Sequence, residues 1–443
     1  MHLHGTLTEQ DNHRHISHPF RVPEGAVKID IDFEYAPKRA GQYGNLLTLS
    51  LFDPQRERGT GHRGQPNQQV SISPTAATPG YLPGVLPPGE WNVMVNTNLI
   101  NAGSTVEYDL KISITQGEAP AAAVVEWKPG STNPRGPGWF RGDLHGHTIH
   151  SDGSWDVDGL VQFARDHQLD FVTLTDHNTV SALAEMDSYA TDDLLTMGGF
   201  EFTTFYGHAL ALGVRNLIDW RVDSDQRTMT DIFREVEAAG GLFVIAHPMC
   251  PGDPVCTGCQ WEYADFMPGP ARVVEVWNEH WTSGSNNPGS LQLWYNWLNK
   301  GHRLAATVGT DIHGPSVRDY GFNVVYAEAL TEQAILDAVR RGHLYLSSGP
   351  QLALTGTSDA GESVMMGDSM HSEDCAIHLE WSNCRSGDVV RLIVDGEVRE
   401  ADEAASGGER SWALAGKHWC LVEVRDQTGS LRAVTNPIFT GSR

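Results

Sequence analysis

The chain has 443 residues with 31 Lys and Arg against 56 Asp and Glu, a formal net charge of −25. That length suits two to four domains with a sizeable core, and the charge has the wrong sign for a polynucleotide or an anionic membrane as the main partner. Hydrophobic residues make up 40% and charged residues 20%, a globular balance with no apolar run near the roughly 20 residues of a membrane helix.

The stretch up to His18, with His2, His4, His13 and His15, has neither the basic nor the apolar region of a secretory signal and reads as a solvated tail of a cytoplasmic protein. From about residue 19 to 116, short apolar or alternating runs (Val27 to Phe33, Leu46 to Phe52, Gln69 to Ile72, Trp91 to Val95, Thr105 to Ile114) are punctuated by Gly and Pro. They predict an all-β, sandwich-like domain over residues 1–127. Lys128 to Gly138, rich in Pro and Gly, reads as a linker.

From 139 to 348 the pattern changes to α/β. Strand-like runs (Trp139 to Leu144, Phe171 to Leu174, His208 to Val214, Leu242 to Ala246, Val273 to Trp277, Leu304 to Val308) alternate with amphipathic stretches (Val157 to His167, Met229 to Ala239, Leu291 to Lys300, Glu332 to Arg341). Such repeats suit a closed (β/α) barrel or a doubly wound sheet. Residues 349–443 return to short strands, including Ile377 to Trp381, Val389 to Val394 and Cys420 to Arg425, and predict a second β domain. Of the six cysteines, Cys250, Cys256 and Cys259 share a Pro/Gly-rich loop. They are ordinary thiols, one local disulfide, or a structural zinc knuckle.

Five of the six strand runs of the α/β segment end in Asp, Glu or His, where such folds build active sites. In DLHGHTIHSDG, His145 and His147 lie two apart and project to one face of a strand, able to grip one ion. Asp152 follows. TDHN supplies Asp176 and His177, the GFEF run Glu201, then His208; AHP supplies His247 and GTDIH supplies Asp311 and His313. Nine metal-capable groups converge: His145, His147, Asp152, His177, Glu201, His208, His247, Asp311 and His313. Met1-His2-Leu3-His4 repeats the spacing without an apolar strand before it.

This ordered series resembles the PHP (polymerase and histidinol phosphatase) metallohydrolases over Phe140 to about Ser348. The GH after the glutamate, VEVWN, SSGP and the terminal TNPIF resemble the CehA/McbA branch. The resemblance implies a distorted, TIM-like barrel of seven βα units and two or three divalent ions, usually zinc, manganese or iron. It implies that His145, His147, Glu201 and Asp311 hold one ion, and that Glu201 bridges to a second held by His208 and His247. A third would use Asp152, His177 and His313; some members have histidine at the Asp152 position. Asp143, Asp176 and Thr148 are expected to orient ligating imidazoles.

A site of this kind activates water for hydrolysis. No Gly-rich dinucleotide turn, Walker run or G-x-S-x-G elbow is present. Glu201 and Asp176 are candidate catalytic groups, with His150 and His280 as proton donors or surface residues and Arg318 as an anion clamp or a solvated loop charge. Trp277, Asn278 and Trp281 line the pocket or, for Trp277, pack the core. The expected substrate is a small molecule, first a phosphate mono- or diester. The alternatives are a carbamate, ester or amide, or a non-catalytic carbohydrate- or surface-binding role. An apolar pocket walled by Phe205, Tyr206 and Trp277 would point to an aryl carbamate and a basic one to phosphate. The oligomeric state is not legible.

Overall fold

The computed structural model describes residues 1–39, 41–118, 121, 134–222 and 226–441. Most of the expected linker, residues 128–133, lies outside them.

The first eight strands are β1 (His2–Thr8), β2 (His15–Val22), β3 (Ala26–Ala36), β4 (Leu46–Phe52), β5 (Glu57–Gly61), β6 (Asn67–Ile72), β7 (Gly89–Leu99) and β8 (Thr105–Gln116). They form two four-stranded sheets, ordered β1-β8-β3-β6 and β2-β7-β4-β5. Alternation in β3 sends Ile29, Ile31 and Phe33 inward to meet Leu47, Leu49, Trp91 and Val93 in one core. The N-terminal residues are not a solvated tail. His2–Thr8 pairs along its length with β8, and His15 is held by Asn96 Oδ1 at 2.8 Å. An edge strand with one half-buried face leaves little apolar alternation to read.

The next strands are β9 (Gly138–Asp143), β10 (Phe171–Leu174), β11 (Leu195–Thr203), β12 (His208–Leu212), β13 (Leu242–Ile245), β14 (Val273–Asn278), β15 (Ala305–Gly309), β16 (Phe322–Ala327) and β17 (Leu344–Ser347). The helices are α1 (Val157–Asp166), α2 (Leu183–Ser188), α3 (Met229–Ala238), α4 (Asn287–Asn299) and α5 (Glu332–Arg341). Asp156, Thr228 and Thr331 cap the starts of α1, α3 and α5 through their side chains.

The strand order is β15-β14-β13-β12-β11-β10-β9-β16-β17. It differs from a uniform run of βα units because β12 and β16 are antiparallel to their neighbours. Among the described residues β15 has no strand partner on its outer side. Instead the Asn323 amide of β16 accepts from Val308 N at 3.0 Å and donates to Val308 O at 2.6 Å, and Asn436 does the same at Ala306. Two amide side chains thus stand in for a ladder at an otherwise open edge.

The C-terminal strands are β18 (Gln351–Ser358), β19 (Ser363–Met365), β20 (Ser369–Met370), β21 (Asp374–Ser382), β22 (Val389–Val394), β23 (Glu397–Glu403), β24 (Gly408–Ala415), β25 (Trp419–Arg425), β26 (Leu431–Thr435) and β27 (Ile438–Thr440). β18, β19, β21 and β24 form a sheet of their own, while β26 pairs with β17 and continues the long sheet into β25, β22 and β23.

The N-terminal sheets dock on the strand-helix segment through specific polar contacts. Gly80 N donates to Ser181 Oγ at 3.0 Å, Thr179 Oγ1 donates to Gly80 O at 2.8 Å, and Trp220 Nε1 donates to Glu57 Oε1 at 3.1 Å. A Cβ at Gly80 would sit 2.7 Å from the His150 carbonyl oxygen, so the approach requires glycine.

Candidate metal centre

The clustered residues come from the ends of neighbouring strands. His145 and His147 follow β9, His177 follows β10, Glu201 lies near the end of β11, His247 follows β13, and Asp311 and His313 follow β15. His208 begins β12 rather than ending it. Because β12 runs antiparallel, its start lies at the same end of the sheet, with His208 paired to Thr203. His247 (φ 25°) and Asp311 (φ 49°) adopt left-handed backbone, which costs a non-glycine residue roughly 1–2 kcal/mol and concentrates at functional sites.

Glu201 is fully buried at the centre. Its Oε1 meets His208 Nδ1 at 3.0 Å and His247 Nε2 at 3.1 Å. Its Oε2 meets His177 Nδ1 at 3.0 Å, His145 Nε2 at 3.2 Å and His147 Nε2 at 3.4 Å. Asp311 Oδ1 lies 2.9 Å from His147 Nε2 and 3.4 Å from His145 Nε2. On the far side of His147, Asp152 Oδ1 lies 3.2 Å from His313 Nε2 and 3.4 Å from His177 Nε2. Donor atoms of His145, His147, Glu201 and Asp311 fall within 4.8 Å of one another, as do those of His147, Asp152, His177 and His313.

The imidazoles are aimed. A carbonyl or carboxylate oxygen only accepts, so it fixes which ring nitrogen carries the proton. Glu275 Oε2 takes His145 Nδ1 at 2.9 Å, Thr257 O takes His208 Nε2 at 3.2 Å, Cys259 O takes His247 Nδ1 at 3.3 Å, and Asp311 O takes His313 Nδ1 at 2.7 Å. In each ring the other nitrogen faces the carboxylates of the cluster, where a cation would replace its proton. His177 Nδ1 is also engaged by Thr203 Oγ1. The turn bearing Thr257 and Cys259 reaches His208 only through Gly258. That residue has φ +74°, and a Cβ on it would lie 1.9 Å from Thr204 O.

Electrostatics in the cluster favour positive charge. Burial pushes Glu201 and Asp311 up, but the surrounding imidazoles more than offset it and hold both carboxyls well below their usual range. Conversely, burial pulls His313 and His247 down, yet Asp152 and Glu201 raise them to about 10 and about 9, while desolvation leaves His147 at about 4. Protons on imidazole thus balance the carboxylates, and cations would displace them. His145 Nε2, both nitrogens of His147, Glu201 Oε2 and Asp311 Oδ1 are buried without a hydrogen-bond partner among the described residues. Buried polar atoms in that state are costly, and a mixed N/O set of this kind fits divalent cations.

Other expected residues sit elsewhere. Asp176 spends its oxygens on Thr148 N, Thr148 Oγ1 and Ser151 Oγ, and Asp143 on His145 N, Thr310 N and Thr310 Oγ1. Both brace backbone turns and neither bonds an imidazole of the cluster. That orienting role falls to Glu275, and Asn278 Nδ2 bridges Glu275 Oε1 at 2.8 Å and Asp311 Oδ2 at 3.2 Å. His150 is bound to Ser181 Oγ at 2.7 Å in the docking surface with the N-terminal sheets. Exposed Arg318 contacts His280 at 3.3 Å. Neither His280 nor Arg318 lines the cavity over the cluster. Trp277 is core, with Trp281 edge-on against it, and Phe205 stacks on His13 and His15. The zinc knuckle does not form, since Cys256 and Cys259 are disulfide-bonded and Cys250 is a thiol.

The cavity measures about 380 Å³. Besides the clustered histidines and acids it is lined by Lys38, Tyr43, Leu46, His62 and Leu99 from the N-terminal segment and by the 254–259 loop. His62, directly after β5, sits 4.6 Å ring to ring from His177, and burial pushes it down to about 3. No local pattern in HRGQ marks it, and the β segment held no other sign of a role in the site. Two larger clefts, about 580 and 760 Å³, contain none of the clustered histidines.

No helix among the described residues is long and apolar enough to cross a membrane. No family model and no curated protein matches the chain. Among solved structures, it is similar to a two-domain protein of Bacteroides vulgatus containing a predicted PHP-like metal-dependent phosphoesterase. That likeness has 17% identity over 71% of this chain and 100% of the other, with a TM-score of 0.39. It is also similar to an amidohydrolase of Chromobacterium violaceum (17% identity, 40% of this chain, 88% of the other, TM-score 0.28). A third likeness is to a candidate metal-dependent phosphoesterase of Bifidobacterium adolescentis (16% identity, 45% of this chain, 94% of the other, TM-score 0.30).

Proposed function

We propose that this chain is a metal-dependent hydrolase of a small phosphate ester. One observation carries the reading: a fully buried carboxylate, Glu201, faces five imidazoles, and four of the cluster's six rings are held by acceptors on their outer nitrogens, so that the inner nitrogens would turn to a cation that replaced their protons. His145, His147, Glu201 and Asp311 would hold one cation. Glu201, His208 and His247 would hold a second, and Asp152, His177 and His313 a third. Zinc, manganese and iron all suit the donor set. Bound there, a cation would supply Lewis acidity and lower the pKa of a water towards neutrality.

The chain's own contribution is orientation, dryness and charge. Glu275 and the 257 and 259 carbonyls keep the rings from turning, and the N-terminal segment roofs the cavity. Lys38 is the single Lys or Arg among the lining residues described, and its ammonium gives two protons to Tyr35 Oη and Asn45 O, leaving one for an anionic substrate. That remaining proton supports a phosphoester where Arg318 does not. Leu46, Leu99, Pro254 and Val255 favour the second reading, a carbamate or carboxylic ester of an apolar alcohol.

Metal-supplemented protein should carry at least two ions per chain by elemental analysis. It should also turn over p-nitrophenyl phosphate or bis-p-nitrophenyl phosphate ahead of a p-nitrophenyl ester and a 1-naphthyl carbamate. Turnover of the last two alone, unaffected by Lys38→Ala, would replace the phosphoester reading by the second. Less than one ion per chain would end both.

A further inference from the structure

The disulfide between Cys256 and Cys259 closes the turn whose carbonyls hold His208 and His247. The turn is anchored on both sides: Thr257 Oγ1 donates to Asn98 O at 3.1 Å and to Asp253 Oδ1 at 2.7 Å, and Asp253 meets His13 at 2.7 Å. Donor atoms of His208, His247 and Cys259 all lie within 4.8 Å of one another, the spread of the carboxylate-containing groups of the same centre. Both cysteines line the cavity, Cys259 buried at 8% exposure and Cys256 less so. While bonded to Cys256, the Cys259 sulfur has no thiolate to offer. Once freed, it is a third donor beside His208 and His247.

We propose that Cys259, released from its disulfide, is a thiolate ligand for a cation shared with His208 and His247, so that thiol–disulfide exchange changes the donor set of that ion. The inference rests on the metal-centre reading above. The reductant is a dithiol. Its thiolate attacks the more accessible Cys256 sulfur, the Cys256–Cys259 bond breaks, and Cys259 leaves as thiolate. The second thiol then displaces Cys256 from the mixed disulfide and the reductant departs as its own disulfide. Two electrons and two protons are transferred in all: one proton stays on Cys256, and the other is taken up by Cys259 when no cation is present or by solvent when one is. Thiolate is the softest donor within reach and favours zinc or cobalt over manganese.

The test uses the full chain loaded with Co²⁺ in four forms: oxidised wild type, wild type reduced with dithiothreitol and freed of it without air, Cys256→Ser and Cys259→Ser. The expected result is a near-ultraviolet thiolate-to-cobalt charge-transfer band in reduced wild type, and in Cys256→Ser without any reductant. Oxidised wild type and Cys259→Ser, reduced or not, should lack it. Cobalt bound to reduced wild type with no such band overturns the switch alone, and a band that survives in Cys259→Ser overturns it by assigning the sulfur elsewhere. Protein that binds no cobalt in any form overturns the metal-centre reading and the switch together. Reduced wild type carries no substitution, so a misfolded variant cannot decide the outcome.

Discussion

Glu57 opens β5, the strand that ends beside His62, and its carboxyl joins the N-terminal sheets to the strand-helix segment. Oε1 accepts from Thr60 Oγ1 at 2.9 Å and Trp220 Nε1 at 3.1 Å, and Oε2 is buried with no partner among the described residues. Desolvation dominates and pushes the group up to about 8 from 4.5, with Thr60, Trp220 and Arg221 pulling back only in part. Between those two values the native protein keeps a proton that the unfolded chain has released. Stability from this group is therefore full below about pH 4.5 and falls as pH rises, by ~1.4 kcal/mol per unit, to a loss of about 5 kcal/mol above pH 8. Glu57→Gln keeps the acceptor for Trp220 and removes the ionisation. Urea unfolding of both proteins at about pH 5 and about pH 8.5 should give similar stabilities at the lower pH and a more stable variant, by several kcal/mol, at the higher. A difference between the two that does not change with pH would refute the reasoning, as would a variant that is the less stable at the higher pH.

Glu201→Gln should remove the shared carboxylate, cut bound metal by at least one ion per chain and lower turnover by roughly a thousandfold, ~4 kcal/mol of transition-state stabilisation. Elemental analysis beside the kinetics checks this, and near-wild-type values for both would show that Glu201 bridges nothing. His62→Ala should leave the metal count unchanged and lower kcat/KM by about tenfold, because its ring lines the cavity next to His177 without belonging to a donor group described there. Unchanged kinetics would remove the N-terminal segment from the site.

Much of the cluster was legible from one dimension because most of its side chains are attached to a local signal. An apolar run that ends in His, Asp or Glu places that side chain at the rim of a sheet, so His145, His147, His177, His247, Asp311 and His313 could be named without coordinates. The helices were readable for the same reason, with Glu332–Arg341 carrying its apolar stripe and its capping threonine in adjacent residues. Strand β11 was missed although it carries Glu201, because all nine of its residues are buried and show no alternation. Residues 2–8 read as a tail in the sequence because their pairing with β8 satisfies the backbone, which composition does not record.

Three further decisions belong to the tertiary structure alone. The reversal of β12 brings His208, at the start of its strand, to the same rim as ligands at the ends of theirs. The carbonyls of Thr257 and Cys259 select the tautomers of His208 and His247, and a backbone oxygen is the same in every residue type. His62 reaches the cavity because one fold unit docks on another through Gly80, Glu57 and Trp220. Periodicity encodes which face of an element is buried, whereas contacts between elements distant in sequence depend on how those faces pack, and no window along the chain contains that information.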